Sequence, residues 1–252
     1  MEMLPFPAVS TASRPRGRKA MYKLDRRGLL AGGVGAACVA PLRALATPKA
    51  RVWTFDNLRG VWGLSVEIAG APKLVASPFG KAMAFDGVDD GVFIGAHPLA
   101  GAKQFTFEAV FRPEGGAFEQ RWFHLESDEQ PAVAPGKGST RMLFEIRVVE
   151  DRWYLDAFMV GQGYRQTMMA PEKTFPIGAW YHVAQSYDGT TYRSFVDGQL
   201  QMEVATPFTP QGPGRASAGM RMNRVNPFNG AIREARFTHT ALGPAEFTRL
   251  TN

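Results

Sequence analysis

The chain has 252 residues, of which 45% are hydrophobic and 12% aromatic, with 27 glycines and 18 prolines, a composition that favours an all-β fold with many turns. The formal net charge is +6, and the first 46 residues, with eight basic and two acidic residues, account for all of it. A neutral remainder argues against a nucleic-acid partner. No hydrophobic run reaches the roughly 18 to 20 residues of a transmembrane helix, so we expect no membrane-spanning segment.

Residues 21–46 have the layout of an export signal. A basic stretch leads to the pair Arg26-Arg27, and a weakly hydrophobic run rich in Gly and Ala follows. This pattern resembles the twin-arginine signal family, and the resemblance implies the twin-arginine export machinery as a partner. We therefore expect the protein to be periplasmic or secreted.

The sequence Ala-Leu-Ala at 44–46 is a small-x-small cleavage site. It divides the chain into a signal peptide over 1–46, with Met21 as an alternative start, and a mature domain over 47–252. The single cysteine, Cys38, lies inside the signal, so the mature domain has no disulfide and no thiolate metal site. A lipoprotein acylated at Cys38 is a minor alternative, disfavoured because Gly35 stands where Leu is usual.

Beyond residue 46, short runs alternate between apolar and polar residues. The run FTFEAVFRP at 105–113 has the period of two that is typical of a half-buried strand. The runs at 142–149 and 152–160 alternate in the same way on either side of Glu150-Asp151. Two such runs joined by two residues predict a β-hairpin.

The pairs Asp188-Gly189 and Asp197-Gly198 enclose one strand rich in aromatic and β-branched residues, which predicts a three-stranded meander. One more strand is expected at 231–237, followed by a helical turn from Pro244. About ten to twelve short strands at this spacing predict two antiparallel sheets packed face to face, since one open sheet would leave an apolar face in water.

Five segments occur in the order found in the laminin-G-like branch of the concanavalin-A-like lectin and glucanase superfamily: FDGVDDGVFIG (85–95), FTFEAVFRP (105–113), WYHVAQSYDG (180–189), SFVDGQL (194–200) and NGAIREARF (229–237). From about residue 50 to 250 the chain therefore resembles that family. The resemblance implies a jelly roll of two antiparallel sheets, and roles in glycan binding, adhesion or, in some branches, polysaccharide cleavage. Two positions depart from the family pattern: Arg233 replaces a common Asp, and Asp90-Gly91 replaces Asp-Tyr.

A retaining glucanase needs two carboxylates about 5–5.5 Å apart, which the spacing Glu-x-Asp-x-Glu supplies on one strand. That motif is absent, and the nearest run has only Glu126 and Asp128 at alternate positions. A hydrolase is therefore the weaker enzymatic alternative.

A polysaccharide lyase abstracts a proton next to a uronate carboxylate, using Tyr or His as base and Arg or Gln to neutralise the carboxylate. Arg141, Glu145 and Arg147 share one strand face by parity, and Tyr164 and Gln166 weakly resemble the Tyr-x-Gln of alginate lyases. The Gln-x-His of those lyases is missing. A lyase thus remains an alternative, and no catalytic residue is assigned.

Glycan binding needs exposed aromatic rings and planar polar side chains. If the alternate apolar residues of the hairpin face the core, their neighbours lie on its open face, and RWFHLE at 121–126 alternates similarly on an adjacent strand. The predicted ligand-binding residues are Trp122, His124, Glu126, Glu145, Arg147, Tyr154 and Asp156.

Asp86, Asp89 and Asp90 place three carboxylates within five residues, and Asp56 joins them if the first strand pairs as it does in the family. Clustered carboxylate oxygens suit Ca²⁺. Turn formation at Asp86-Gly87 and Asp90-Gly91 explains the same residues without a metal. We therefore expect no required cofactor and treat Ca²⁺ at these four residues as an optional ligand.

Together these patterns predict an exported, non-catalytic domain that binds a carbohydrate or another cell-surface ligand. A polysaccharide-cleaving enzyme of the same fold and a structural or protein-interaction domain are the alternatives.

Overall fold

The computed structural model describes residues 50–129 and 140–248. The expected export signal, with Arg26, Arg27 and Cys38, lies outside the described residues. The described residues contain seventeen strands and no helix. This part of the chain therefore has no helix that could span a membrane.

The strands that precede residue 150 are β1 (Arg51–Thr54), β2 (Gly60–Val61), β3 (Leu64–Ala69), β4 (Lys73–Ser77), β5 (Gly80–Asp86), β6 (Gly91–Ile94), β7 (Phe105–Pro113), β8 (Glu119–Ser127) and β9 (Arg141–Val149). The strands that follow are β10 (Arg152–Gly161), β11 (Tyr164–Met169), β12 (Phe175–Pro176), β13 (Tyr181–Tyr187), β14 (Thr191–Val196), β15 (Gln199–Ala205), β16 (Gly214–Ala218) and β17 (Asn229–Thr238).

These strands form two antiparallel sheets. Sheet 1 has eight strands in the order β15-β14-β13-β7-β17-β5-β4, and β1 also pairs with β17. Sheet 2 has nine strands in the order β11-β10-β9-β8-β16-β6-β3-β2, and β12 also pairs with β10. The prediction of an all-β, two-sheet sandwich is confirmed. The count exceeds the expected ten to twelve partly because β2 and β12 have only two residues each.

The core lies between the sheets and is rich in aromatic rings. Phe107 of sheet 1 stacks on Phe144 of sheet 2 with ring centroids 3.9 Å apart, and Phe111 stacks on Trp122 at 4.7 Å. All four rings are fully buried. Burial of one large apolar side chain stabilises a fold by roughly 1.5–3 kcal/mol, so these contacts hold the two sheets together.

The β9–β10 hairpin has the predicted register. Val149 pairs with Arg152, and the turn between them places Glu150 at a positive φ of 56°. Phe144 and Ile146 of β9 point into the core, as do alternate residues of β10. The residues between them on each strand therefore lie on the outer face of sheet 2.

The meander is also confirmed, as β13, β14 and β15. Asp197 and Gly198 have φ values of 48° and 76°, the left-handed conformation that a tight hairpin turn requires. At the other turn the Asp188 carboxylate accepts hydrogen bonds from the backbone N–H groups of Thr190 and Thr191. The Arg193 guanidinium, and next these bonds, lower the pKa of Asp188.

The segment after β17 covers the outer face of sheet 1. Leu242 and Phe247 form a small apolar cluster with Ala184 and Phe195 of that face. Residues 244–246 form a single hydrogen-bonded turn, in which the Glu246 N–H donates to the Gly243 carbonyl oxygen at 2.9 Å, at the position where one helical turn was expected. After this turn the chain follows the sheet and donates the Thr248 N–H to the buried Glu108 carboxylate at 2.7 Å.

Candidate functional site

Four predicted ligand-binding residues lie together on the outer face of sheet 2. Glu145 and Arg147 of β9 stand directly opposite Asp156 and Tyr154 of β10. Opposed residues of antiparallel strands have Cβ atoms about 4.5–5.5 Å apart, so the four side chains form one patch. The structure therefore brings together the β9 and β10 parts of the predicted site, but Tyr154 is buried, as are Glu145 and Asp156, so Tyr154 does not provide the exposed ring that was expected.

An ion-pair network of five side chains, Glu119, Arg121, Glu145, Arg147 and Asp156, organises this patch. The Arg121 Nε lies 2.5 Å from the Glu145 Oε1, and the Arg147 Nη2 lies 2.5 Å from the Asp156 Oδ2. The Glu119 Oε1 joins the two arginines, at 2.5 Å from the Arg121 Nη2 and 2.7 Å from the Arg147 Nη1. Because each guanidinium has carboxylate partners, the network holds both arginines in fixed positions.

Two carboxylates of the five-residue network are almost completely buried. Burial, and next the charge of Asp156, raise the pKa of Glu145 to about 7. Burial also raises the pKa of Asp156, although Arg147 opposes this shift. Two buried acids this close ionise together only at a high cost, so the pair retains a proton in mildly acidic solution.

We expect the free energy of unfolding to fall as the pH rises from about 5 to about 8, by up to about 3 kcal/mol from Glu145. In the unfolded chain Glu145 ionises near 4.5, whereas in the folded chain it ionises near 7. Its stabilising contribution is thus complete below the unfolded pKa and is lost as the pH rises through the folded pKa. Urea unfolding at several pH values measures this slope.

Glu145→Gln should remove most of the slope and leave the variant more stable than the wild type at the alkaline end. Glu172→Gln, which changes an exposed carboxylate, is the control and should keep the slope. An unchanged slope in Glu145→Gln would show that other groups cause the pH dependence.

Trp122 does not lie on this face. It is fully buried between the sheets, and the pairing of β8 with β9 shifts register between Arg121 and Phe123. This β-bulge inserts one extra residue, so both Trp122 and Phe123 point into the core. The prediction that Trp122 and His124 share the outer face is therefore wrong, because a bulge reverses the parity of the residues that follow it.

His124 does lie on the outer side of sheet 2, but a loop covers it completely. Its Nδ1 accepts a hydrogen bond from the Met222 N–H at 3.0 Å, and its Nε2 lies 3.9 Å from the Glu126 Oε2. Burial, followed by the charges of nearby arginines, lowers the pKa of His124 well below its usual range. His124 is thus a neutral residue that anchors the loop. Glu126 is ion-paired with Arg215 at 2.7 Å.

A cavity of about 230 Å³ opens next to the five-residue network. We call it the arginine pocket. It is lined by Arg121, Arg141, Leu143, Glu145, Arg147, Phe158, Arg165, Thr167 and Arg221. These residues come from four adjacent strands and one loop, so a rigid sheet positions most of the charged groups.

A second cavity of about 520 Å³ lies toward the other end of sheet 2. Its walls include Ser65, Glu67, Phe93 and Arg224. Arg224 stacks over the Phe93 ring at 4.8 Å and bridges to Glu67 at 2.5 Å. The loop that carries residues 221–224 contributes to both cavities, so the outer face of sheet 2 has two recesses.

The residues considered for catalysis do not assemble. Tyr164 is buried on the core side of β11, where its hydroxyl accepts a hydrogen bond from the Gln211 Nε2 at 2.8 Å. Burial raises the pKa of Tyr164 to about 12, so it is a poor base at neutral pH. Its strand neighbour Arg165 points to the outer face instead. Of the hydrolase pair, Asp128 lies in a bend just after β8.

Asp86, Asp89 and Asp90 could hold a metal ion, since one carboxylate oxygen from each lies within 4.8 Å of the others. Asp56 is not part of that group. Turn formation already uses several of these oxygens: the Asp86 Oδ1 accepts the Val88 N–H at 2.8 Å, and the Asp90 Oδ1 accepts the Ala71 N–H at 2.6 Å. Calcium binding at these residues stays a prediction. Arg233, which stands where the family commonly has Asp, donates its Nε hydrogen to the Phe79 carbonyl oxygen at 2.8 Å.

Several pocket residues were not predicted. Phe158 follows from the same alternation that identified Asp156, once β10 is read to its end. Arg121 does not, because the bulge after it reverses the parity that was assumed for β8. Arg165 directly follows the buried Tyr164 on β11, so strand alternation would have placed its side chain on the outer face. Arg221 lies on a loop distant in sequence, and no local pattern indicates its position.

Comparison with known proteins identifies the family to which this fold belongs. A family model described as the concanavalin A-like lectin/glucanases superfamily matches residues 86–247. No curated protein sequence matches the chain. A similar solved structure is domain 4 of AbnA, a GH43 extracellular arabinanase from Geobacillus stearothermophilus, in complex with arabinotriose. It has a TM-score of 0.57 and 17% identity over 79% of this chain and 95% of that one.

Two other similar structures are matched over about half of their chains. The binding domain of Paraclostridial Mosquitocidal Protein 1 has a TM-score of 0.53 and 9% identity over 77% of this chain and 49% of that one. A structure of botulinum neurotoxin type C, whose cell entry depends on interaction with two ganglioside molecules, has a TM-score of 0.51 and 10% identity over 78% and 49%. At these identities the likeness shows the fold alone.

Proposed function

Because the chain belongs to the concanavalin A-like lectin/glucanases superfamily, we propose that it is an exported, non-catalytic domain that binds a carbohydrate on the outer face of sheet 2. Similar structures include a domain in complex with arabinotriose and a toxin that interacts with gangliosides. Fold alone does not define function, so the proposal depends on the site.

One observation carries the proposal: among the described residues, the segment that follows β17 packs on sheet 1, whereas the outer face of sheet 2 has a polar recess. The arginine pocket has a volume of about 230 Å³. Drug-sized ligands occupy sites of roughly 300–1,000 Å³, so this recess suits a single sugar ring. Its guanidinium and carboxylate groups are planar donors and acceptors of the kind that bind sugar hydroxyls.

The position of Tyr164 supports binding without cleavage. A lyase needs a base within hydrogen-bond reach of the proton that it removes. Tyr164 lies on the core side of β11 and His124 is covered by the Met222 loop. Neither side chain reaches the arginine pocket, so the proposal assigns no chemical step to the chain.

Export completes the proposal and depends on residues 21–46. A domain that carries no disulfide after cleavage must be stable by packing alone, and the aromatic core supplies that stability.

A panel of neutral and acidic oligosaccharides tests the proposal, with the mature chain 47–252 as the analyte and calorimetry as the readout. We expect at least one saturable ligand. Thr167→Trp, which fills the pocket from an exposed wall and removes no ion pair, should weaken binding at least about tenfold by steric exclusion.

Ala205→Trp introduces the same side chain at an exposed site on β15 of sheet 1 and should leave affinity unchanged. Equal loss in both variants, or binding by neither the wild type nor any variant, would overturn the proposed function. Product absorbance from a uronate polymer would reveal a lyase instead.

A further inference from the structure

The arginine pocket contains more positive charge than its own carboxylates balance. Five arginines line it, against Glu145 alone among the acids of the lining. Arg121 and Arg147 are paired within the five-residue network. Within the described part of the chain, Arg165 and Arg221 make no ion pair. An uncompensated cationic recess attracts an anion.

The position of Arg221 adds to this imbalance. Burial, followed by the charge of Arg121, lowers the pKa of Arg221, and burial followed by the charge of Arg221 lowers the pKa of Arg141. Neighbouring guanidinium groups in a partly desolvated recess repel one another. An anion bound between them would replace this repulsion with attraction.

Phe158 fixes the geometry of the pocket. The Arg141 guanidinium lies 5.1 Å from the centre of the Phe158 ring, and the Arg165 guanidinium lies 5.2 Å from it. Cation–π contacts of this kind hold flexible side chains in place. The pocket is thus arranged before a ligand arrives, which lowers the entropic cost of binding.

We propose that the arginine pocket binds the anionic group of an acidic saccharide, a uronate carboxylate or a sulfate ester, with Arg165 and Arg221 as the principal contacts. The inference rests on the proposed function and names the ligand class of the same site. A guanidinium presents two parallel N–H donors that match the oxygens of either anion. Residues 47–252 have no net charge, so the attraction for the anion comes from the arginines of the pocket and not from the charge of the whole domain.

Titration with a galacturonate tetrasaccharide, its methyl ester and a sulfated tetrasaccharide tests the inference. The methyl ester keeps the sugar backbone and removes the charge, so we expect it to bind at least about tenfold more weakly than the acid, and we expect affinity for the acid to fall as salt rises. Tighter binding of the sulfated compound would identify a sulfate ester as the anion, and comparable binding would show that the pocket accepts either group; both results would support the same chemistry.

Arg165→Gln and Arg221→Gln should each weaken binding of the acidic probe about tenfold, while Arg165→Lys should retain part of the affinity. Arg59→Gln removes one exposed positive charge from another part of the fold and is the matched control. Melting temperatures confirm that each variant folds.

Three outcomes separate the two proposals. Equal affinity for the acid and its methyl ester, or no difference between the pocket variants and Arg59→Gln, would overturn the inference. Binding of a neutral glycan that Thr167→Trp abolishes would keep the proposed function and overturn the inference. No binding by any saccharide would overturn both.

Discussion

Trp122→Ala is expected to lower the free energy of unfolding by about 3–5 kcal/mol, because it removes a fully buried ring and leaves a cavity. Trp122 stacks on Phe111 and contacts Phe107 at 5.6 Å between ring centroids. A typical domain has only about 5–15 kcal/mol of stability, so the loss would be a large fraction of the total. Urea unfolding followed by circular dichroism measures it.

Trp62→Ala is the matched control. Trp62 is 51% exposed and contacts the Arg51 guanidinium at 5.4 Å, so its loss should cost about 1 kcal/mol or less. Trp122→Phe should recover most of the stability and leave glycan binding unchanged. Normal stability of Trp122→Ala together with weakened glycan binding would contradict this prediction and show that Trp122 contacts the ligand.

Arg26→Lys combined with Arg27→Lys is expected to reduce the exported, processed protein by more than about tenfold. Lysine keeps the positive charge but lacks the planar guanidinium with its fixed donors, so a receptor that reads the arginine pair should reject it. Immunoblots of cytoplasmic and periplasmic fractions measure the loss. Mass spectrometry of the exported chain should give Thr47 as its first residue.

Arg16→Lys combined with Arg18→Lys makes the same exchange outside the pair and should leave export intact. Normal export of the Arg26/Arg27 variant would exclude the twin-arginine route. Retention of Cys38 in a lipid-modified chain would instead favour the lipoprotein alternative.

Local sequence patterns predicted the parts of the fold that depend on neighbouring residues. The alternation in β9 and β10, with Glu150-Asp151 between them, was sufficient to predict the hairpin and to place Glu145 and Asp156 on its outer face. The Asp-Gly pairs were sufficient for the meander. In both cases the signal spans two adjacent strands joined by a short turn.

Other features depend on contacts that no local pattern encodes. The bulge at Trp122 exists only relative to the partner strand β9, and it reverses the parity on which the prediction relied. The cover over His124 comes from Met222, which is 98 residues away. The turn from Pro244 could be expected from the sequence, but the hydrogen bonds that attach the flanking Leu242 and Thr248 to Thr106 and Glu108 of β7 could not, because they join residues more than 130 positions apart.

The place of β17 in sheet 1 has a consequence for how the chain folds. This strand lies between β7 and β5 and also pairs with β1, yet it follows every other strand in the sequence. Until residues 229–238 are synthesised, β5 and β7 have unpaired edges that can associate with other chains. Contacts this distant in sequence also slow folding. The sandwich therefore closes late, with its last strand as the one that joins the two halves of sheet 1.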